Sequence, residues 1–346
     1  MQASASIHAA TSIKTLTLNI GAIAPMFSEK TLHRVHGICL KLSKSNYDVV
    51  FIQEAWTAKY RKMLKDCGLK YSLDLNEKVG LFKKLENNKL STFTLKILGH
   101  FLDTFLPDTF GYDTGLMILS RSPFLSGHIL RFPENGREEN AIADGEFPVN
   151  KGAIGGIIEY KDFGKIFVAT THLVSEYEGY SYIEQREKQI ISVYNWLQNK
   201  NASFPTIIGG DFNMAPPNPD GAPRYLNTHL LWNKVRDTLL ADYLAADIDY
   251  QNLSTYTGTF SNKSATIGNN KDQGVLDHIF SFNGLIPISG GIDFVGTVYC
   301  GIKNNTIINC PYSDHYGMKS TFILKDITPY LSKNEKKFTT QDSNSF

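Results

Sequence analysis

The sequence predicts an α/β sandwich, two β-sheets packed face to face with helices on the outside. Three observations predict it. Short β-type segments separated by turns recur along the 346 residues. Some are near-continuous apolar runs, which need cover on both faces. The few helical stretches are amphipathic, so each has an apolar face able to cover a sheet.

Residues 13–20, "IKTLTLNI", alternate Leu16, Leu18 and Ile20 against Thr15, Thr17 and Asn19, the period of a half-buried strand. Residues 28–46 place Leu32, Val35, Cys39 and Leu42 on one helical face, with Ser28 as N-cap. "DVVFIQE" (48–54) is an apolar run and predicts a strand covered on both sides. "GLMILSRSP" (115–123), "GAIGGIIEY" (152–160) and "KIFVATTHL" (165–173) predict further strands. Residues 182–200 predict a helix with Ile183, Ile190, Tyr194 and Leu197 facing inward. "TIIGGDFN" (206–213), "VLDHIFSF" (275–282) and "GMKSTFIL" (317–324) complete the strands. There is no internal repeat or long linker. Residues 1–12 read as a lead-in, 13–326 as one domain, 79–112 as an insertion within it and 327–346 as a polar tail.

The balance of charge is near neutral, +1 with 35 basic and 34 acidic residues, and does not argue for a protein that grips long duplex DNA. None of the four cysteines forms a CxxC pair, which speaks against a structural zinc site. Cys39 reads as core; Cys300 and Cys310 flank a polar loop and are either a disulfide or two free thiols. No apolar stretch is long enough to cross a membrane as a helix. The N-terminus lacks the basic start and apolar run of a leader, so a mature form with its leader removed is one expectation, with a secreted or peripheral membrane location. Asn201, Asn252, Asn262 and Asn304 begin N-x-S/T triplets, uninformative without the compartment.

Polar residues gather at strand ends. Asn19, Glu54, His172, Asp211 and Asn213 close their strands, Asp277 lies in one, and Asp314 and His315 immediately precede one. In antiparallel sheets these would meet at one rim. Glu54 and Asn19 offer hard oxygen ligands that suit Mg²⁺. The two glycines of "GGDFN" predict a sharp turn that aims Asp211 and Asn213 together at a water and a phosphate oxygen. Asp277, in an apolar strand, needs a donor; the imidazole of His315 is the economical one, its tautomer and basicity then set by Asp277. His278, on the opposite face, reads as structural. Lys151 sits between a turn and a strand among small residues that let a ligand approach.

This ordered set resembles the endonuclease/exonuclease/phosphatase superfamily, the fold of pancreatic deoxyribonuclease, over residues 13–325. The resemblance implies a four-layer sandwich and Mg²⁺-dependent phosphoester hydrolysis, with Mn²⁺ or Co²⁺ as substitutes. Carried onto this chain, Glu54, Asn19 and Asp314 would hold the metal. Asp211 and Asn213 would position water and phosphate, and His315, backed by Asp277, would be the general base. His172 and Lys151 would meet the substrate phosphate. Within the superfamily, "QEAW" (53–56), "NKGA" (150–153), "THLVSEY" (171–177), "YIEQREKQI" (182–190) and "GGDFNMAP" (209–216) are similar to the neutral sphingomyelinases. That implies cleavage of sphingomyelin to ceramide and phosphocholine on a phospholipid surface. The chain reads GDFN where that group usually reads GDLN, and has His278 where a Tyr often follows the Asp.

Residues 79–112 interleave lysines with Phe, Leu and Ile, suited to a membrane interface or to a small core of their own. Residues 289–301 are a second membrane candidate or an ordinary hairpin. A nuclease would use the same set but would want a basic groove, which is not obvious here. A phosphoinositide phosphatase would carry Trp-Cys-Asp-Arg at the position of "VLDHI", and does not. A non-catalytic binding module predicts a broken constellation, and no member is missing.

Overall fold

The computed structural model describes residues 12–22, 30–75, 114–133, 135–137, 146, 149–176, 181–201, 204–214, 260–261, 273–274 and 276–324. The 79–112 segment, the tail, Ser28 and the triplets at Asn252 and Asn262 lie outside them. The chain runs β1 (Ser12–Ala22), α1 (Thr31–Ser43), β2 (Val49–Ala55), α2 (Ala58–Lys65), β3 (Tyr71–Leu73) and β4 (Met117–Ser120). It continues through β5 (His128–Arg131), β6 (Gly152–Tyr160), β7 (Gly164–His172), α3 (Ile183–Asn201) and β8 (Thr206–Asp211). After the two-residue strands β9 (Phe260–Ser261) and β10 (Gln273–Gly274) come β11 (Asp277–Phe282), β12 (Leu285–Asp293), β13 (Thr297–Lys303), β14 (Thr306–Pro311) and β15 (Gly317–Leu324).

Two sheets form, ordered β12-β15-β1-β2-β4-β3 and β11-β8-β7-β6-β5. Ile13, Phe51, Ile118 and Phe322 from the first meet Ile154, Val168, Ile207 and Ile279 from the second in one buried core. The outer face of the first sheet, through Leu16, Leu18 and Ile52, packs on Val35, Ile38 and Leu42 of α1 and Tyr60 and Leu64 of α2. The outer face of the second, through Phe167, Ala169 and Phe280, packs on Ile190, Val193, Trp196 and Leu197 of α3. The order is therefore helix, sheet, sheet, helix, and each fully buried apolar side chain contributes about 1.5–3 kcal/mol.

The sheets are mixed rather than antiparallel. β1 and β2 run parallel, as do β7 and β8, while β11 and β15 run antiparallel to β8 and β1. The helices α1 and α3 make those parallel crossovers possible. The rim is reached all the same: ends of parallel strands and starts of their antiparallel neighbours lie at the same edge.

Other expectations shift. Helix α1 starts at Thr31, and its buried face is Thr31, Arg34, Val35, Ile38 and Leu42, with Leu32 exposed. Cys39 is bonded to Cys67, tying α1 to the end of α2, and Cys300 is bonded to Cys310. In α3 the inward positions include Arg186, Gln189, Val193 and Trp196, while Tyr194 is half-buried.

Gly209 and Gly210 lie inside β8 and make no turn. A Cβ on Gly209 would stand 2.4 Å from Phe51 Cδ2, and one on Gly210 2.2 Å from the Thr171 carbonyl oxygen. Gly209 thus sets how closely the sheets approach. Gly209→Val should cost about 1–3 kcal/mol by overpacking, read as a lower urea midpoint, and Phe51→Leu in the same chain should recover part of it. An unchanged midpoint would mean the sheets are not in contact there.

Candidate active site

Backbone geometry at the rim turns the strand-end side chains toward one another. The β1–β2 register slips between Asn19 and Ala22. Gly21 and Glu54 there both take left-handed backbone conformations, φ +51° and +59°. Asn213, just past β8, has φ +48°. Left-handed conformations cost a non-glycine residue about 1–3 kcal/mol and concentrate at functional sites.

The amide of Asn19 is the hub. Its Nδ2 donates to Glu54 Oε1 (2.9 Å) and to Asp211 Oδ2 (3.0 Å), while its Oδ1 accepts the Gly21 N–H (3.0 Å). Asn19, expected as a metal ligand, orients two carboxylates, one from each sheet, through its Nδ2, while its Oδ1 accepts one bond from Gly21. Asp211 Oδ1 accepts the backbone N–H of Asn213 (2.9 Å), whose side-chain Nδ2 donates to the Leu173 carbonyl (2.9 Å).

Asp277 opens β11 directly opposite Asp211, and its Oδ2 accepts from His315 Nδ1 at 2.7 Å. Nε2 of His315 then faces Asp211 Oδ2 at 3.7 Å. One ligand atom from each of Asp211, Asp277 and His315 lies within 4.8 Å of the others. His172, buried, brings Nε2 within 3.5 Å of Asp211 Oδ2, but neither ring nitrogen makes a hydrogen bond among the described residues. Its ring faces Trp56 at 6.4 Å. His278 points away and meets the Met214 carbonyl at 2.7 Å.

The electrostatics are those of crowded anions. Burial, and then the neighbouring Asp314 carboxylate, push the Glu54 carboxyl above its ordinary range. Burial and Asp277 push Asp211 up to about 7, against the pull of His315, Asn19 and Lys151. For His315, burial opposes the charge, but Asp277 and Asp211 outweigh it and hold the imidazole well above its ordinary value. His172 goes the other way: burial first, then Lys151 and His315, keep it neutral well below that value.

Lys151, expected at the substrate phosphate, is committed elsewhere. Its three N–H donors go to Glu146 Oε1 (2.9 Å), the Leu173 carbonyl (3.0 Å) and Ser175 Oγ (3.2 Å), and the residue is 2% exposed. It acts from behind the rim, as charge.

Sequence reasoning missed Arg34. Its Nη2 donates to the Gly21 carbonyl (2.6 Å), and the guanidinium interacts electrostatically with Asp314 and Glu54. A Cβ on Gly21 would stand 2.8 Å from Asp314 Oδ1 and 3.5 Å from Arg34 Nη1, so the three are packed together. The signal was available: Arg34, Ile38 and Leu42 share one helical face. Glu146, buried against Lys151, had no pattern to reveal it.

Glu54, Asp314 and Asp211 are hard oxygen donors, and the burial that makes the Glu54 and Asp211 carboxyls hard to ionise is a cost that a divalent cation would relieve. The donor set therefore fits Mg²⁺.

No curated protein sequence matches the chain. Among solved structures it is similar to SmcL (16% identity over 90% of this chain and 99% of that one, TM-score 0.60). It is also similar to sphingomyelinase C of Streptomyces griseocarneus (17%, 90% and 99%, TM-score 0.59) and to humanized D. rerio TDP2 (17%, 90% and 98%, TM-score 0.57). These likenesses show the shared sandwich. The sequence also matches the Endonuclease/Exonuclease/phosphatase family over residues 16–315, nearly its whole length, and the chain belongs to that family of phosphodiester-bond hydrolases.

Proposed function

We propose that the chain is a Mg²⁺-dependent phosphodiesterase of the sphingomyelinase type, cleaving sphingomyelin to ceramide and phosphocholine at a membrane surface. The observation that carries the lipid choice is the β13–β14 ribbon. It pairs with neither sheet and exposes Tyr299 (53%), Ile302 (65%) and Ile307 (64%). Such clustered exposed apolar side chains, with Lys303 beside the turn, suit hydrophobic insertion plus attraction to head groups. The ribbon includes part of the 289–301 candidate. The sphingomyelinase among the structural neighbours supports the same choice. Two disulfides favour an oxidising compartment and so an exported protein.

The residues divide the reaction as follows. Asp277 fixes the His315 tautomer with Nδ1–H toward itself, leaving Nε2 to take a proton from the attacking water. The water oxygen bonds to phosphorus as the bond to the ceramide oxygen breaks; that oxygen takes a proton from solvent and leaves as a hydroxyl, and His315 returns the proton it accepted to solvent. Neutral His172, and the Asn213 Nδ2–H not given to the Leu173 carbonyl, would donate to phosphate oxygens. Glu54 and Asp314, with Asp211, would hold the cation. When bound there, Mg²⁺ supplies positive charge that neutralises the phosphate and opposes the protonation of His315.

The deciding assay is phosphocholine release from sphingomyelin vesicles with Mg²⁺ or EDTA, run beside plasmid nicking. EDTA-sensitive release with intact plasmid is expected. Nicked plasmid with silent vesicles would make the chain a nuclease, and silence in both would turn attention to phosphoinositides. His315→Ala and Glu54→Ala should each lower turnover by about 10²–10⁴-fold with the far-ultraviolet circular dichroism unchanged. Wild-type rates in either would remove that residue from the mechanism. Mg²⁺ at 100 times its Kd should stabilise the protein by about 2.7 kcal/mol in thermal unfolding, an increment that Glu54→Ala should lose. Ile302→Ser with Ile307→Ser should slow hydrolysis of vesicles and spare a soluble phosphodiester; equal rates on vesicles would dismiss the ribbon as the membrane contact.

A further inference from the structure

A second cleft lies on the outer side of the first sheet, between α1, the edge strand β12 with its neighbour β15, and the base of the β13–β14 ribbon. Its volume is about 1070 Å³, and none of its lining residues belongs to the carboxylate–histidine rim. Gly37 of α1 forms part of the wall, where the ribbon packs so closely that a Cβ would stand 2.3 Å from Val298 Cγ1.

The lining is strongly biased in charge. Lys14, Lys41, Lys44 and Lys319 face a single carboxylate, Asp293. That carboxylate is already used: Lys41 pairs with one oxygen, the Tyr47 hydroxyl donates to the other, and the Phe294 N–H adds a third bond. Lys41 also lies 4.3 Å above the Phe294 ring and 5.2 Å from the Tyr312 ring. Lys14, Lys44 and Lys319 make no salt bridge among the described residues. Three uncompensated lysines in one concavity are not background in a chain of net charge +1. The rest of the wall is aromatic and apolar, with Tyr299 packed edge-on against His33 at 6.0 Å and Leu40 and Val298 nearby.

We propose that this cleft is a second, non-catalytic binding site for a phosphate ester anion. Its lysines take the phosphate as point charges, and its tyrosines and aliphatic side chains take the apolar part of the ester. The cleft opens beside the exposed apolar residues of the ribbon, so the head group of an anionic phospholipid reaches it with its acyl chains directed along that surface. Occupancy would then anchor the protein through a lipid different from the one at the rim. A metal cation is the wrong sign for this lining, and a purely apolar ligand would leave three lysines desolvated.

The test measures binding with EDTA present, so it is independent of whether the rim hydrolyses anything. Vesicles of phosphatidylcholine, with and without phosphatidylglycerol, are compared for the wild type, for Lys44→Gln with Lys319→Gln, and for a control pair, Lys165→Gln with Lys200→Gln, at exposed positions away from the cleft. Wild type should prefer the anionic vesicles. The cleft pair should weaken that binding about 25-fold, at about 1 kcal/mol per lysine, and the control pair should not. A second arm titrates glycerol phosphate while following the His33 ring by NMR. Saturable binding that the cleft pair abolishes supports the same chemistry with a soluble ester as its source. If the cleft pair binds both probes like wild type, or if the control pair weakens vesicle binding as much, the site is overturned.

Discussion

Glu54 and Asp211 come from different sheets, repel one another, and are held against a single amide. Asn19 donates one N–H to each, and its own oxygen is locked by the Gly21 backbone. Much else at the rim follows from that hub. The two carboxylates can share one amide only if the sheets approach closely, which the missing side chain at Gly209 permits against Phe51. They stay in register because Gln53, one residue before Glu54, bonds Thr17 within its own sheet and Thr170 (2.8 Å) across the gap. A buried amide bridging two carboxylates is costly to misplace, since each unsatisfied group loses about 1–3 kcal/mol. The sandwich interface and the site geometry are thus one constraint.

Charge explains the next layer. Carboxylates this crowded destabilise a folded chain unless cations stand near. Among the described residues two buried side chains do this beside His315. Arg34 reaches in from α1 behind Gly21 and Asp314, and Lys151 reaches in from β6 behind Leu173. Lys151 also disfavours a proton on His172, so the same buried ammonium that softens the carboxylates keeps that imidazole neutral. The remaining negative charge is what a divalent cation would complete.

The strands were legible because their periodicity is strong. β6 and β15 begin and end at the residues the sequence marks for them, 152–160 and 317–324, and Asp277 against His278 was split to opposite faces by period two alone. The gathering of Asn19, Glu54, His172, Asp211, Asp277 and His315 at one rim was legible because these residues stand at or beside strand ends. What escaped has a common physical cause: it depends on long-range placement. Lys151 looked approachable from its small neighbours, but Glu146, five residues earlier in a stretch without periodicity, takes its charge. Two glycines before Asp211 have the composition of a turn and the function of close packing. Cys39 has the helical spacing of a core residue but is half-buried and disulfide-bonded, and only the meeting of α1 with the end of α2 distinguishes the two. Whether β1 pairs with β2 in parallel is likewise undetermined by either strand's own pattern.

The helix α1 joins regions that the sequence keeps apart. On one face Arg34 supports the rim through the Gly21 carbonyl. One turn on, Gly37 admits Val298 and seats the base of the β13–β14 ribbon. Another turn on, Lys41 fixes Asp293 at the end of β12. Its far side is pinned by Cys39 to Cys67. The ribbon therefore packs on an element anchored at three levels, and Arg34 of that element holds the Gly21 backbone that in turn locks Asn19. The support of the rim and the seat of the ribbon thus lie on one helix, whose 1.5 Å rise per residue spaces Arg34 and Gly37 about 4.5 Å apart along the axis.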